Sequence, residues 1–398
     1  MPDYGHLQQR LEQRRQQHLW RQPPLLQSAQ GVVVQVEGQS LINFSSNDYL
    51  GLAADVRLQQ ALAEGASQWG VGSGASHRVC GHQLPHRQLE ERLAALTGRE
   101  AALLFSSGYQ ANLAAIQTLF GSGDRVLQDR LNHASLLDAG LASGANFRRY
   151  QHLDSNHLQQ LLDKPHDGQT LVVTDSVFSM DGDQADLAGL ARLCQRHKAW
   201  LMVDDAHGLG VLGSQGEGSC GAALPASQVP LLMGTLGKAL GTAGAFIAAD
   251  QVVIDYLQQF ARTHIYTTAQ PAALAVATLK ALDLLAQEPE RRQHLHDLIQ
   301  YFRRRAAQLG LPLMPSDTAI QPLLLGSSAR ALHWSARLRE AGLLVMAIRP
   351  PTVPRGQARL RITLTASHQM HQVDQLLNEL EQLQQQEPLA FQEEAVDA

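Results

Sequence analysis

Short apolar runs alternate with helical patterns between about residues 100 and 250 of this 398-residue chain. Runs that are apolar throughout are typical of strands buried on both faces of a sheet. They predict strands at 101–105, 125–128, 170–175, 200–204, 230–233 and 245–248. Helices are predicted between them at 109–119, 134–142 and 186–198. This alternation predicts an α/β fold with a largely parallel sheet that helices cover on both faces.

The pattern changes after about residue 290, where charged helices alternate with fewer strands. It predicts helices at 290–309, 329–341 and 370–385 and strands at 320–325, 344–348 and 359–365. Near the start, Leu7, Leu11 and Leu19 mark a surface helix, and 32–36 with 40–43 resemble a hairpin. We therefore expect an N-terminal helix and hairpin at 1–50, a large domain at 51–288, a small α+β domain at 289–385 and a flexible acidic tail at 386–398.

Composition and charge narrow the class of protein. A net charge of -5 without a basic block argues against non-specific binding of nucleic acid. No apolar run approaches the length of a membrane span, and residues 1–22 lack the apolar core of a signal peptide. Cys80, Cys194 and Cys220 have no paired spacing, so neither a disulfide framework nor a structural zinc site is expected. A cytoplasmic enzyme fits these observations.

A single lysine, Lys238, lies among glycines in the stretch Gly234-Thr235-Leu236-Gly237-Lys238-Ala239-Leu240-Gly241. The glycines allow close approach to the backbone, and a lysine held in this way can form a Schiff base with a carbonyl cofactor. The alternative is a surface turn that carries one solvated lysine. Both interpretations stay open from this stretch alone.

Polar side chains follow several of the predicted strands, at the edge where ligands bind in such sheets. Ser106-Ser107-Gly108 opens a helix whose free N–H groups suit a phosphate, although an ordinary helix cap explains it equally. His133 could stack on a flat ring or transfer a proton. Asp204 ends an apolar strand and needs a cationic partner, either a protonated pyridine nitrogen or an arginine; His207 follows three residues later. Together with Lys238 these groups match the requirements of pyridoxal 5'-phosphate (PLP).

Further motifs give the chain a resemblance to a known family. They are Asn47-Asp48-Tyr49-Leu50-Gly51-Leu52, Gly72-Ser73-Gly74-Ala75-Ser76, residues 86–90, Phe178-Ser179-Met180-Asp181-Gly182, Asp204-Asp205-Ala206-His207-Gly208 and Thr235-Leu236-Gly237-Lys238. From the N-terminal helix to about residue 385, the chain resembles the α-oxoamine synthases. The resemblance implies a fold-type I PLP-dependent transferase, with a mostly parallel sheet and a smaller C-terminal α+β domain.

The same resemblance implies roles for individual residues. Lys238 would form the Schiff base and remove the α-proton of the amino acid, while Asp204 pairs with the pyridine nitrogen and His133 stacks on the ring. The remaining cofactor contacts are His207 and Ser179 at the phenolic oxygen and Gly108, Tyr109 and Thr235 near the phosphate. Thr267 or Thr268 would reach the phosphate of the neighbouring subunit of a homodimer.

Less specific sequence features indicate residues that contact the substrates. Arg21, His133, Thr352 and Asn47 match substrate contacts of the family. Arg361 is placed to hold an amino-acid carboxylate, with a surface ion pair as the alternative. The resemblance implies decarboxylative condensation of L-alanine with pimeloyl-CoA or a pimeloyl carrier protein, with release of carbon dioxide and free thiol. A glycine C-acetyltransferase or another member of the family is the alternative activity. A non-catalytic regulatory subunit would be expected to lack Lys238.

Some positions depart from the family pattern. Asp175 stands where relatives often have Glu, and His77 and Cys80 stand where many have Arg and Ser. His82 and His86 have the spacing of a metal-binding pair on a helix. Because Pro85 lies between them and the sequence shows no third ligand, we expect no metal site.

Overall fold

A computed structural model describes residues 2, 4–221 and 223–387 of the chain. These residues form two compact units. The larger unit comprises residues 48–179 and 183–293, and the smaller unit comprises the described residues up to 47, residues 180–182 and the described residues from 294. The predicted tail at 386–398 lies, from residue 388 onward, outside the described residues.

Thirteen strands and thirteen α-helices occur within the described residues. The strands are β1 (Val33–Val36), β2 (Gln39–Asn43), β3 (Ala101–Phe105), β4 (Arg125–Asp129), β5 (Asn146–Tyr150), β6 (Thr170–Asp175), β7 (Trp200–Asp204), β8 (Leu231–Thr235), β9 (Ala245–Ala249), β10 (Ile320–Gly326), β11 (Leu343–Leu344), β12 (Met346–Ile348) and β13 (Ala358–Thr363). The helices are α1 (Gly5–Gln16), α2 (Val56–Trp69), α3 (Leu84–Thr97), α4 (Gly108–Leu119), α5 (Ala134–Ala142), α6 (Ser155–Leu162), α7 (Leu187–Arg196), α8 (Gln251–Phe260), α9 (Arg262–Ile265), α10 (Ala272–Gln287), α11 (Pro289–Gln308), α12 (Ser328–Glu340) and α13 (Met370–Gln386).

A seven-stranded sheet, counted over the described residues, forms the centre of the larger unit in the order β3-β9-β8-β7-β6-β4-β5. β4, β5, β6, β7 and β8 pair in parallel, whereas β9 is antiparallel to both of its neighbours. The strands β4, β6 and β9 are buried along their whole length. The prediction of a mostly parallel sheet is therefore confirmed, and its strand ends bring polar groups to one edge.

Helix α7 shows how the sequence pattern produces a covering helix. Its apolar stripe of Leu187, Leu190, Ala191 and Cys194 is buried. The Asp186 side chain caps the N-terminus by accepting a hydrogen bond from the Gly189 N–H. Lys198 has a positive φ of 54°, a left-handed conformation that cannot continue the helix. The helix is consequently shorter at both ends than the predicted 186–198.

Two three-stranded sheets, β1-β2-β11 and β10-β13-β12, belong to the smaller unit. The predicted hairpin is present, because β1 and β2 pair in antiparallel fashion. The single strand predicted at 344–348 is wrong: β11 pairs with β2, whereas β12 pairs with β13. The Ser45 hydroxyl donates to the Leu344 carbonyl and accepts from the Met346 N–H, so it occupies both backbone groups where the strand changes sheets.

Helix α1 has no buried residue, as expected for a surface helix. The inclusion of Leu19 in that helix is wrong, because α1 ends at Gln16 and His18 has a positive φ of 56°. No helix among the described residues combines the length and the apolar character that crossing a membrane requires.

Residues 180–182 belong to the smaller unit because side chains of that unit hold them. The Gly182 carbonyl accepts from the hydroxyls of Ser316 at 2.8 Å and Thr318 at 3.1 Å. Arg359, itself 1% exposed, forms an ion pair with Asp181. A buried guanidinium needs such a carboxylate partner, so this pair fixes the Asp181-Gly182 turn.

His152 lies between two carboxylates in the larger unit. Its Nδ1 is 2.9 Å from Asp129 Oδ1, and its Nε2 is 2.8 Å from Asp183 Oδ2. Burial lowers the pKa of His152, but the bonds to Asp129 and Asp183 outweigh it and raise the pKa to about 10. The imidazole is therefore protonated in the folded protein at neutral pH and donates to both carboxylates.

His152→Gln is expected to lower the free energy of unfolding by about 2 kcal/mol at pH 6, since charge-assisted hydrogen bonds are lost. The folded pKa of about 10 exceeds the unfolded value near 6.5, so this stabilisation is complete below pH 6.5 and is lost as the pH rises towards 10. Urea denaturation of both proteins at pH 6 and pH 10 measures it. If the free energies of unfolding of the two proteins differed by the same amount at pH 6 and pH 10, the stabilisation would not come from the charged His152.

Candidate active site

One cavity of ≈ 200 Å³ in the larger unit brings the polar strand ends together. Its lining consists of Gly108, Tyr109, Asn112, His133, Ser135, Asp175, Ser179, Asp204, Ala206, His207, Met233, Thr235 and Lys238. Every cofactor residue proposed from sequence is in this set except Thr267 and Thr268. Eight predicted residues that are far apart in sequence therefore meet in one cavity. It lies at the edge of the sheet where the carboxyl ends of parallel strands bind ligands.

Lys238 lies in a chain of three side chains that can share protons. Its Nζ is 2.8 Å from His207 Nε2, and the other ring nitrogen of His207 is 2.6 Å from the Tyr49 hydroxyl. If Lys238 is an ammonium, it donates to Nε2, and Nδ1–H donates to Tyr49. If Lys238 is a neutral amine, Tyr49 donates to Nδ1, and Nε2–H donates to the amine. The imidazole can therefore stabilise either protonation state of Lys238.

The turn that carries Lys238 is packed tightly against the preceding motif. The Gly241 N–H donates to the Lys238 carbonyl at 2.9 Å. Gly241 has a φ of +67°, and a Cβ atom there would lie 2.5 Å from the Ala53 N and 2.6 Å from the Leu52 carbonyl carbon. Only glycine fits both the conformation and the space. Lys238 therefore sits in a fixed turn, and the solvated surface turn considered from sequence does not describe it.

Asp204 is 4% exposed at the end of β7. Its Oδ2 accepts from Asn112 Nδ2 at 2.8 Å, and its Oδ1 accepts from the Ala206 N–H at 3.0 Å. Both donors are neutral amides, so the arginine partner considered from sequence is not among them. A buried carboxylate that points into a cavity with neutral partners suits a cationic ligand group such as a protonated ring nitrogen.

Asp175 lies beside Asp204, because the two residues are register partners on the parallel strands β6 and β7. Burial and the neighbouring charge of Asp204 raise the pKa of Asp175 well above its ordinary value. Its Oδ2 accepts from the His133 N–H at 2.8 Å. Asp175 is thus the carboxyl group whose neutral form the surroundings favour.

His133 begins helix α5 and lines the same cavity. Its Nδ1 accepts from the Ser135 N–H at 3.3 Å and faces the Ser135 hydroxyl at 2.8 Å. Burial, assisted by the charge of Lys238, lowers the pKa of His133. The side chain is therefore a neutral imidazole whose orientation is fixed, as a ring-stacking residue requires.

The N-terminus of α4 supplies the proposed phosphate region. The Ser107 hydroxyl caps the helix by accepting from the Gln110 N–H at 3.3 Å, so the helix-cap interpretation of Ser107 is correct. The Tyr109 hydroxyl donates to Asp138, and the Thr235 hydroxyl donates to the Gly244 carbonyl at 3.1 Å. The helix dipole and first-turn N–H groups still favour an anion at this end of the cavity. Thr267 and Thr268 follow α9 outside the lining, and their role at a neighbouring subunit stays a prediction.

Four of the five predicted substrate residues lie in the smaller unit and form two pairs. The fifth, His133, lines the cavity of the larger unit. Arg361 is 7% exposed and donates to Asn47 Oδ1 at 3.1 Å and to Thr363 Oγ1 at 2.9 Å. Arg21 donates to Thr352 Oγ1 at 2.8 Å. A buried Arg361 with a hydroxyl and an amide as partners does not match the surface ion pair considered as its alternative. Substrate contacts by these four residues stay predictions.

Asn112 and Tyr49 each contact a residue of the cavity but had no assigned role from sequence. Asn112 joins Asp204 to Ser135, since its Nδ2 also lies 2.9 Å from Ser135 Oγ. A signal for it was present, because Asn112 is the polar residue within the buried stripe of α4. Tyr49 belongs to a quoted motif, but its contact with His207 spans 158 residues and leaves no local signature.

The chain is similar to known proteins over most of its length. The family model for aminotransferase class I and II matches residues 39–380. The 8-amino-7-oxononanoate synthase of Stutzerimonas stutzeri is 60% identical over 375 residues, which cover 94% of this chain and 95% of that protein. The serine palmitoyltransferase of S. paucimobilis with bound PLP–myriocin aldimine has a TM-score of 0.91 at 25% identity, over 96% of this chain and 98% of that one. The 8-amino-7-oxononanoate synthase of Francisella tularensis has a TM-score of 0.78 at 31% identity, over 88% of this chain and 99% of that one.

Proposed function

The chain belongs to the aminotransferase class I and II family, and from that premise we propose that it catalyses the 8-amino-7-oxononanoate synthase reaction. In this PLP-dependent acyl transfer of biotin biosynthesis, L-alanine condenses with a pimeloyl thioester to give 8-amino-7-oxononanoate, carbon dioxide and free thiol. The observation that carries the proposal is 60% identity over 94% of the chain to a synthase of that name, joined to a cavity with Lys238, His207 and Asp204.

The residues of the cavity fit PLP. Asp204 would hold the pyridine nitrogen, since it is buried and has neutral partners. His133 would lie against the ring, the N-terminus of α4 would hold the phosphate, and the Lys238 amine would meet the aldehyde. When bound, PLP supplies a carbonyl for amines and a cationic ring that withdraws electrons from the α-carbon of the amino acid.

The protein's own contribution to the reaction is the movement of one proton. The proton that leaves the α-carbon of alanine is accepted at Lys238 Nζ. His207 Nε2, 2.8 Å away, can take part of that positive charge and return the proton, with Tyr49 holding the far side of the imidazole. The neutral His133 excludes water from the ring without adding a charge of its own.

Substrate groups are assigned to the smaller unit by their chemistry. The guanidinium of Arg361, with Asn47 beside it, offers the planar donors that a carboxylate needs. Arg21 and Thr352 form a second polar pair, to which we assign the acyl thioester. This pairing supports a common role, because neither side chain can move without breaking its bond to the other.

Release of free thiol tests the proposed reaction. The protein, saturated with PLP, is incubated with each pairing of alanine, glycine or serine with pimeloyl-, acetyl- or palmitoyl-CoA, and thiol and the ketone product are measured. Alanine with pimeloyl-CoA is expected to react fastest. Thiol release restricted to glycine and acetyl-CoA would instead assign glycine C-acetyltransferase activity. Replacing CoA with a pimeloyl carrier protein in the same assay determines the acyl donor.

A homodimer is also proposed. Helix α8 exposes Val252, Tyr256 and Phe260, which are four residues apart and therefore share one face, with exposures of 73%, 45% and 58%. Apolar side chains aligned in this way are typical of a covered surface. The mass of the PLP-saturated protein in solution should equal two chains; one chain would contradict the proposal.

The cysteines Cys80, Cys194 and Cys220 are unpaired, which supports a reducing, cytoplasmic location.

A further inference from the structure

Three histidines converge in the larger unit, away from the residues that line the PLP cavity. One nitrogen from each of His77, His82 and His86 lies within 4.8 Å of the other two. The expectation from sequence that a third ligand is missing is therefore wrong, because His77 supplies it. The reason is local: a π-type turn at His77–Gly81, closed by the Gly81 N–H on the Ser76 carbonyl at 3.0 Å, returns the chain toward α3. Such turns are frequent at functional sites.

We propose that His77, His82 and His86 bind a divalent transition-metal ion that prefers imidazole ligands, such as Zn²⁺ or Ni²⁺. The site does not depend on the proposed reaction, and it is partly open to solvent because His82 is exposed while His86 is buried.

His86 already has the arrangement of a metal ligand. Its Nδ1 accepts from the Gln83 N–H at 3.0 Å, so the ring proton is on Nε2, which donates to the Gln270 carbonyl at 2.7 Å. A ligating histidine ordinarily donates its other N–H to a carbonyl or carboxylate, which fixes the ring. On metal binding, the Nδ1 lone pair would coordinate the ion, and the hydrogen bond from the Gln83 N–H would be lost.

His77 and His82 are spaced for a shared ion. Their Nδ1 atoms are 2.9 Å apart. Two nitrogens bound to one ion at about 2.1 Å lie about 3.0–3.4 Å apart, so only a small movement is needed. One of the two nitrogens now carries the shared proton; on binding, that proton moves to Nε2 of the same ring, and no proton is released. His82 Nε2 then faces Glu90 Oε2, at present 3.8 Å away, as an orienting carboxyl group.

The ion would stabilise the segment that contains Thr267 and Thr268. Ser76 forms a β-bridge with Thr268, and the Ala269 N–H donates to the Ala75 carbonyl at 3.0 Å. The Gln270 carbonyl accepts from the Ser73 hydroxyl at 2.6 Å and from His86. Linking His77 and His82 to His86 therefore ties residues 73–82 and 268–270 to the start of α3.

Titration of the PLP-saturated protein with Zn²⁺ after treatment with EDTA tests the site. One ion per chain is expected to bind, with a rise in Tm, and Mg²⁺ should not bind because it prefers oxygen ligands. His77→Gln and His82→Gln should each weaken Zn²⁺ binding at least about tenfold. His371→Gln, an exposed residue at the start of α13, is the matched control and should leave the affinity unchanged.

Absence of stoichiometric Zn²⁺ binding by the unsubstituted protein overturns the proposal. So does an unchanged affinity in both His77→Gln and His82→Gln. The absorbance of bound PLP in each variant shows that it is folded. The visible spectrum of Co²⁺ bound to the unsubstituted protein gives a second readout. It should show nitrogen coordination, and the signal should disappear when Zn²⁺ displaces Co²⁺. A spectrum of oxygen ligands alone contradicts the site.

Discussion

Lys238→Ala is expected to lower the rate of thiol release from alanine and pimeloyl-CoA by a factor of at least about 10⁴. The variant lacks both the amine that meets the PLP aldehyde and the base that accepts the α-proton. Each role alone contributes orders of magnitude to the reaction rate. His207 cannot replace the amine, because an imidazole nitrogen does not form a Schiff base with the aldehyde. The absorbance of the covalently held cofactor should disappear as well.

Lys164→Ala is the matched control for that measurement. Lys164 is exposed in the larger unit and does not line the cavity. Its replacement should leave thiol release and the cofactor absorbance at the level of the unsubstituted protein. If Lys238→Ala retained activity within tenfold of that level, the assignment of Lys238 as the catalytic lysine would fail.

Asp204→Asn is expected to reduce kcat by roughly 10²–10³-fold, whereas Asp175→Asn should reduce it less than tenfold. The two carboxyl groups are neighbours on β6 and β7, but burial and the Asp204 charge raise the pKa of Asp175 and so favour its neutral form. A neutral amide in its place still accepts from the His133 N–H. At Asp204 the same substitution removes the negative charge that would hold the pyridine nitrogen protonated.

Comparison of kcat for the two asparagine variants distinguishes the members of the pair. Both variants should be folded, since each substitution nearly conserves side-chain volume. A larger loss in Asp175→Asn than in Asp204→Asn would show that the charge assignment is reversed. Equal losses would show that the two carboxyl groups act as one unit, which contradicts the separate roles inferred from their geometry.

Six of the seven strands in the sheet of the larger unit were predictable, because most of them are apolar runs that end at polar residues. β5 was not predicted, because its sequence Asn-Phe-Arg-Arg-Tyr is largely polar and exposed. β3, β6 and β7 were predicted with the bounds that the structure has, and α7 followed from its apolar stripe. The division of 343–348 into β11 and β12 was not predictable. It depends on the Ser45 hydroxyl, about 300 residues distant in sequence, and no local pattern contains that contact.

In the candidate site, too, the contacts between residues far apart in sequence could not be predicted. Asp204, His207, His133 and Lys238 could be predicted, because each is a polar residue at a strand end or in a glycine-flanked turn. The Asn112 bond to Asp204 spans 92 residues, so it required the folded structure. His77 was likewise missed as a third candidate ligand, since a π-type turn brings it to His86 at a spacing that helix periodicity does not suggest.

Identification of the lysine that carries PLP tests the central claim most directly. The PLP-saturated protein is reduced with borohydride, which makes the link to the amine permanent, then digested and analysed by mass spectrometry. The account predicts one modified residue, Lys238, in the peptide that follows β8. Modification of another lysine, or recovery of the Lys238 peptide without the cofactor, would contradict it.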